Sequence, residues 1–198
     1  MLERRTAQSV RGFTAPFSPG SVIIKKPIPP VKPKAFRDPY QVVLDRFNRR
    51  GVAYVVVGMS GINYYAKDAS EMFATLDYDL FLQPTLTNVE KALHCLEELG
   101  FGLGSRKGIV RRNELKRLVR ERMTLTATTQ EGIMVELLLR VSGYPLSELA
   151  KDAATFTVGR VPIRVGRLRK LLRSKQLANR PKDRQFLKRY QLLLRNSL

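Results

Sequence analysis

The 198-residue sequence predicts an α+β fold, a mixed β-sheet flanked by helices with a helical segment at its C-terminal end, and three observations carry that expectation. Short β-branched runs such as residues 52–57 alternate with amphipathic stretches of helical period. Two strand candidates, residues 123–128 and 133–141, are joined by Thr129-Gln130-Glu131-Gly132, a good hairpin turn. The last thirty or so residues read as two basic helices with no strand among them. Hydrophobic residues make up 43% of the chain, enough for a sizeable core at this length. No stretch approaches the roughly 18 consecutive apolar residues of a membrane span. The single cysteine, Cys95, excludes an internal disulfide, and with His94 alone beside it there is no zinc set, so a reducing, cytoplasmic setting is expected.

Taken in order, residues 1–34 hold six of the eleven prolines and show no sustained period, which reads as an extended or disordered arm. Within it, Ser21 to Ile24 is apolar enough to add a strand to a sheet edge. The core is expected from residue 35 to 166 and the helical segment from 167 to 198. Asp38-Pro39 opens a helix, Asp as N-cap and Pro at the first helical position, and Val42, Val43, Leu44 and Phe47 give it an apolar face up to Gly51. Residues 52–57 form a strand that stops at Gly58. Gly58-Met59-Ser60-Gly61 then reads as a turn leading into a helix, an arrangement that aims backbone N–H groups at whatever lies above it.

Residues 75–82, Thr-Leu-Asp-Tyr-Asp-Leu-Phe-Leu, form the second strand, and residues 87–100 an amphipathic helix with Val89, Leu93, Leu96 and Leu99 on one face. His94 and Cys95 on that helix read as a partly buried structural pair. Residues 106–120 are basic with helical spacing in Leu115, Leu118 and Val119. After the 123–141 hairpin come a short helix at 146–153, a second hairpin pairing 155–158 with 162–165, and helices at 167–178 and 182–194, broken by Asn179-Arg180-Pro181.

The chemistry is concentrated in the second strand. Side chains alternate faces along a strand, so Asp77 and Asp79 point the same way. Two neighbouring carboxylates repel and contribute nothing to a core, and the arrangement makes sense when a cation or a proton lies between them; a hard divalent metal is the simplest candidate. Glu136 is the one acid in the apolar run 133–141, and burying it alone is costly. It either faces solvent at a sheet edge or joins the two aspartates.

The net charge of +19 is unevenly placed. Residues 1–34 carry seven basic side chains against one acidic, residues 105–122 eight against two, and residues 161–198 twelve against one, so the rest is slightly acidic. A near-neutral body with basic segments suits a polyanion such as RNA.

Val57-Gly58-Met59-Ser60-Gly61 followed by Thr75-Leu76-Asp77-Tyr78-Asp79-Leu80 resembles the signature of the nucleotidyltransferase superfamily, whose fold is that of DNA polymerase beta. Lys175, with Arg180-Pro181-Lys182-Asp183 after it, resembles the tail pattern of the abortive-infection-type nucleotidyltransferase toxins. The likeness spans about residues 38–195. It implies that Asp77, Asp79 and Glu136 hold two Mg²⁺ ions, that Gly58 and Ser60 seat the β and γ phosphates of an NTP, and that Lys175, Arg180 and Lys182 stabilise the triphosphate or the departing pyrophosphate. Asp183 would pair with a neighbouring cation. The activity implied is transfer of an NMP to an acceptor hydroxyl, on RNA given the basic segments and with tRNA one candidate, and the toxin likeness raises an antitoxin protein as a partner. The chain departs from the pattern at Met59, where a small residue is usual, and at Glu136, where Asp is commoner. The alternative is a nucleic-acid-binding protein that uses the fold without catalysis. If phosphate contacts drive RNA binding, affinity measured by filter binding should fall steeply with rising salt.

Overall fold

Asp38 accepts the Tyr40 backbone N–H at 3.0 Å and Pro39 occupies the first position of α1, Pro39–Arg49, so the first helix begins where its sequence demands. The computed structural model describes residues 38–105 and 108–196. The N-terminal arm expected over residues 1–34, with its Ser21–Ile24 strand, lies outside them. After α1 come β1, Tyr54–Val56, and α2, Gly58–Asn63; then β2, Asp77–Leu82, and α3, Leu86–Glu98. The strands β3, Gly102–Ser105, and β4, Gly108–Ile109, precede α4, Leu115–Arg120. The second half holds β5, Leu125–Thr128, β6, Met134–Leu138, and α5, Leu146–Lys151, then β7, Ala154–Val158, and β8, Val161–Val165. Two helices finish it, α6, Leu168–Ala178, and α7, Pro181–Asn196.

Among the described residues the strands form one sheet of eight in the order β4-β3-β5-β6-β2-β1-β8-β7. β2 pairs with β6, and β1 with β8, in parallel; every other neighbouring pair is antiparallel. This is a mixed α+β architecture with helices flanking the sheet. One face carries Tyr54, Val56, Tyr78, Leu80, Leu82, Val135 and Leu137, all buried. The helix α1 packs on it: Tyr40 stacks on Tyr78 with ring centres 4.6 Å apart, and Phe47 meets Tyr54 edge-on. Burying one aromatic or aliphatic side chain contributes about 1.5–3 kcal/mol, so this layer is a large share of the core. Leu171 of α6 closes over Gly61 and Gly166, where a Cβ would come within 3.0 and 2.8 Å of its methyl carbons.

The differences from the sequence reading are local. The segment 58–61 is the first turn of a helix rather than a turn before one, because Gly61 N–H already donates to Val57 O at 2.8 Å. Among the described residues of the basic segment only Leu115–Arg120 is α-helical; β4 and a short 3₁₀ turn at Arg112–Glu114 precede it. The β3 and β4 strands were not foreseen, since Gly102 and Gly104 break any apolar alternation. His94 and Cys95 are not a buried pair. Cys95 is buried, whereas the adjacent His94, about 100° round the helix, is exposed and lies 3.0 Å from Glu98.

Asn88 fastens β1, β2 and α3 together. Its side chain accepts from Ala53 N–H at 2.8 Å and donates to Ala53 O at 3.0 Å and Gln83 O at 3.1 Å, inside the protein. Asn88→Ala strands those backbone groups and should cost about 2–3 kcal/mol, lowering the urea midpoint without changing the slope.

Candidate functional site

The parallel register of β2 against β6 sets Asp79 beside Glu136 and Asp77 beside Met134, while β5 contributes Thr126 on the far side of Glu136. Because β6 lies between β2 and β5, Glu136 is not at a sheet edge; it joins the aspartates. One carboxylate oxygen from each of Asp77, Asp79 and Glu136 lies within 4.8 Å of the other two, and all three side chains are half-buried. Oxygen donors at that spacing can hold a hard divalent cation and lack the nitrogen and sulfur that zinc prefers.

β1 runs antiparallel to β2, so its C-terminal end and the start of α2 arrive beside the aspartates. Val57 N–H donates to Asp79 O at 3.0 Å, continuing the pairing past the strand. Gly58 follows at φ +63°, a left-handed conformation that favours glycine, and a Cβ there would collide with the Asp79 carboxylate. The N–H of Met59 hydrogen-bonds that carboxylate. Ser60 is buried, 5% exposed, and does not line the cleft: its Oγ donates to Asp77 O at 3.1 Å and accepts from Asp79 N–H at 3.2 Å. Its hydroxyl therefore positions the acidic strand, and α2 offers the cleft Gly58 and Met59. Thr75 Oγ1 donates to Asp77 Oδ1 at 2.6 Å and restrains that side chain.

The opposite wall comes from α6 and the start of α7. Lys175 lies 3.5 Å from Asp183, and Arg180 grips the same carboxylate twice, at 2.6 and 3.2 Å. Asp183 is completely buried; burial alone would raise its pKa, but Arg180 and Lys175 hold it below the ordinary carboxylate range. Burial lowers the Lys175 pKa, opposed by Asp183 and Asp79, and its ammonium lies 5.0 Å from the centre of the Phe186 ring. Asn179 turns the chain between the helices in the left-handed region, φ +48°, and Pro181 starts α7 at the position where a missing N–H costs nothing. Lys182 lies exposed at the rim.

The space between these walls is a cleft of about 410 Å³ whose lining includes Gly58, Met59, Asp77, Asp79, Glu136, Lys175, Arg180 and Lys182. All the residues expected at the site from sequence are thus together apart from Ser60, which is one layer behind. Arg140, Ser142 and Ser174 also line it and were missed; nothing in a single Arg or Ser after a strand marks it in a sequence. No family model matches the chain, and no curated protein matches it either. Among the described residues no helix is long and apolar enough to cross a membrane.

Burial, with the charges of Asp77 and Glu136, pushes the Asp79 pKa up to about 7, against the pull of Lys175 and the Met59 amide. The folded protein then holds a proton that the unfolded chain releases near pH 4, so this group lowers stability as pH rises from about 4 through 7. A divalent cation held by the three carboxylates would offset that loss. Thermal melts should show Mg²⁺ or Mn²⁺ raising Tm more at pH 8 than at pH 6. Asp79→Asn without metal should melt several degrees higher at pH 8, for a gain of about 1–2 kcal/mol, and lose the metal response.

Proposed function

We propose that this protein is a Mg²⁺-dependent nucleotidyltransferase that moves an NMP from an NTP to an acceptor hydroxyl, with RNA as the acceptor class. The observation that carries the reading is the convergence of Asp77, Asp79 and Glu136 within 4.8 Å on two central strands, facing Lys175 and Arg180 across one cleft. A cleft of about 410 Å³ suits one nucleotide, at the lower end of small-molecule sites. The resemblance of residues 57–80 and 175–183 to that superfamily agrees with it.

In this reading the acceptor oxygen bonds to the α-phosphorus, the bond from that phosphorus to the bridging oxygen of the β-phosphate breaks, pyrophosphate leaves with that electron pair, and the hydroxyl proton passes to solvent. Asp77, Asp79 and Glu136 would hold Mg²⁺, which would supply charge neutralisation at the phosphoryl group and make the attacking hydroxyl more acidic. The protein's own groups do the rest. Gly58 keeps the floor beside Asp79 open, Ser60 fixes the backbone of both aspartates, and Lys175 and Arg180 face the charge that develops on the leaving group. Asp183 holds both cations in place. The basic segments 105–122 and 161–198 supply the field that draws a polyanionic acceptor.

The test is transfer of label from α-labelled NTPs to total RNA with Mg²⁺, run beside Asp77→Ala and Asp79→Ala. Each substitution should reduce transfer at least about 100-fold while leaving RNA binding intact. No transfer by the intact protein with any of the four NTPs, alongside undiminished RNA binding by both variants, sinks the enzymatic reading in favour of a binding module.

A further inference from the structure

Four cations line the cleft, and two of them are already committed: Lys175 and Arg180 both sit on Asp183. Among the described residues Arg140 and Lys182 make no ion pair and no hydrogen bond. Arg140 is the one that the acidic strands themselves deliver. Along β6 and its extension, Val135, Leu137 and Leu139 are buried on the core side, while Met134, Glu136, Leu138 and Arg140 alternate onto the cleft side. Arg140 therefore shares a face with Glu136, four residues and roughly 13 Å further along the strand direction.

The turn after it is fixed. Val141 and Tyr144 form an antiparallel bridge, and Gly143 between them, at φ +84°, has no room for a Cβ because Leu177 of α6 fills the space. The turn that follows the exposed Arg140 is thus set by packing against α6. The cleft is lined by the acidic Asp77, Asp79 and Glu136 and by Arg140, with Ser142 and Ser174 also in its wall.

We propose that Arg140 is a specificity-determining residue that binds a phosphate group of the nucleotide's polyphosphate tail, an inference that rests on the nucleotide reading above. A cleft of about 410 Å³ is filled largely by one nucleotide, whose polyphosphate is the anion nearest the carboxylates and within the same cleft as Arg140. A planar guanidinium with no carboxylate partner among the described residues presents paired N–H donors, which match two phosphate oxygens. Lys175 and Arg180 share their donors with Asp183, whereas Arg140 has no such call on it among the described residues.

The experiment is calorimetric titration of the full chain with inorganic tripolyphosphate at fixed excess Mg²⁺, which reads binding without any transfer. Arg140→Ala should weaken tripolyphosphate about 10-fold or more, and Arg140→Lys should recover part of the loss. The Mg²⁺-dependent rise in Tm should be unchanged in both, which shows that the fold and the carboxylates are intact. Unaltered tripolyphosphate affinity in Arg140→Ala overturns the proposal, as does a loss confined to RNA affinity. An intact protein that transfers label but does not bind tripolyphosphate overturns it while leaving the transferase reading in place. A protein that binds tripolyphosphate through Arg140 but transfers nothing supports it and removes that reading instead.

Discussion

Holding three carboxylates within 4.8 Å of one another is the constraint around which the rest of this structure is arranged. The parallel register that puts Asp79 against Glu136 leaves like charges on adjacent strands, a placement that opposes folding. The surrounding groups answer it one at a time. The Met59 amide and the Lys175 ammonium both favour ionised Asp79, though burial and the two neighbouring acids outweigh them. Ser60, with one hydroxyl used as donor and acceptor, ties down the backbone of both aspartates so that their repulsion cannot splay the strand. Gly58 leaves the carboxylate the volume that a methyl group would take. Natural proteins keep arrangements of this sort where function requires them and recover the stability elsewhere, here in the aromatic layer between α1 and the opposite face of the sheet.

The C-terminal helices face the same problem with the sign reversed. Lys175 and Arg180 come from either side of the Asn179 turn, and without a shared counterion they too would repel. Asp183 resolves that, and because it is buried to 0% exposure and Lys175 is largely buried, their ion pair is shielded from solvent in a way that the exposed Arg49–Asp45 pair is not, while Arg180 reaches the same carboxylate from a half-exposed position. The helices are therefore held in their relative orientation partly by the charges they present.

Much of the site was legible from periodicity. An i, i+2 spacing of acids in a β-prone run is enough to place Asp77 and Asp79 on one face, and Asp-Pro and Asn-Arg-Pro mark helix boundaries through local backbone chemistry. What was not legible depended on long-range pairing. Whether Glu136 met the aspartates turned on β6 adding in parallel to a strand more than fifty residues earlier, a contact that no local pattern encodes. The role of Ser60 was obscured for the opposite reason: a Gly/Ser segment after a strand suggests a phosphate seat, but helix winding begins at Gly58 and rotates the hydroxyl to the strand behind. Helical rotation likewise separated His94 from Cys95. The glycine-rich β3 owes its strand conformation to its neighbours, with Leu103 pairing Ala127 and no alternation of its own.

The composition of the cleft wall has one more consequence. Its charged residues are Asp77, Asp79, Glu136 and Asp183 against Arg140, Lys175, Arg180 and Lys182, four of each sign, although the chain as a whole carries +19. With every group ionised the cleft is electroneutral, and an anionic guest entering alone would leave it in charge deficit. A metal ion held by the carboxylates would therefore favour an anionic guest, and thermodynamic reciprocity would require each to raise the affinity of the other by the same factor, whatever chemistry follows.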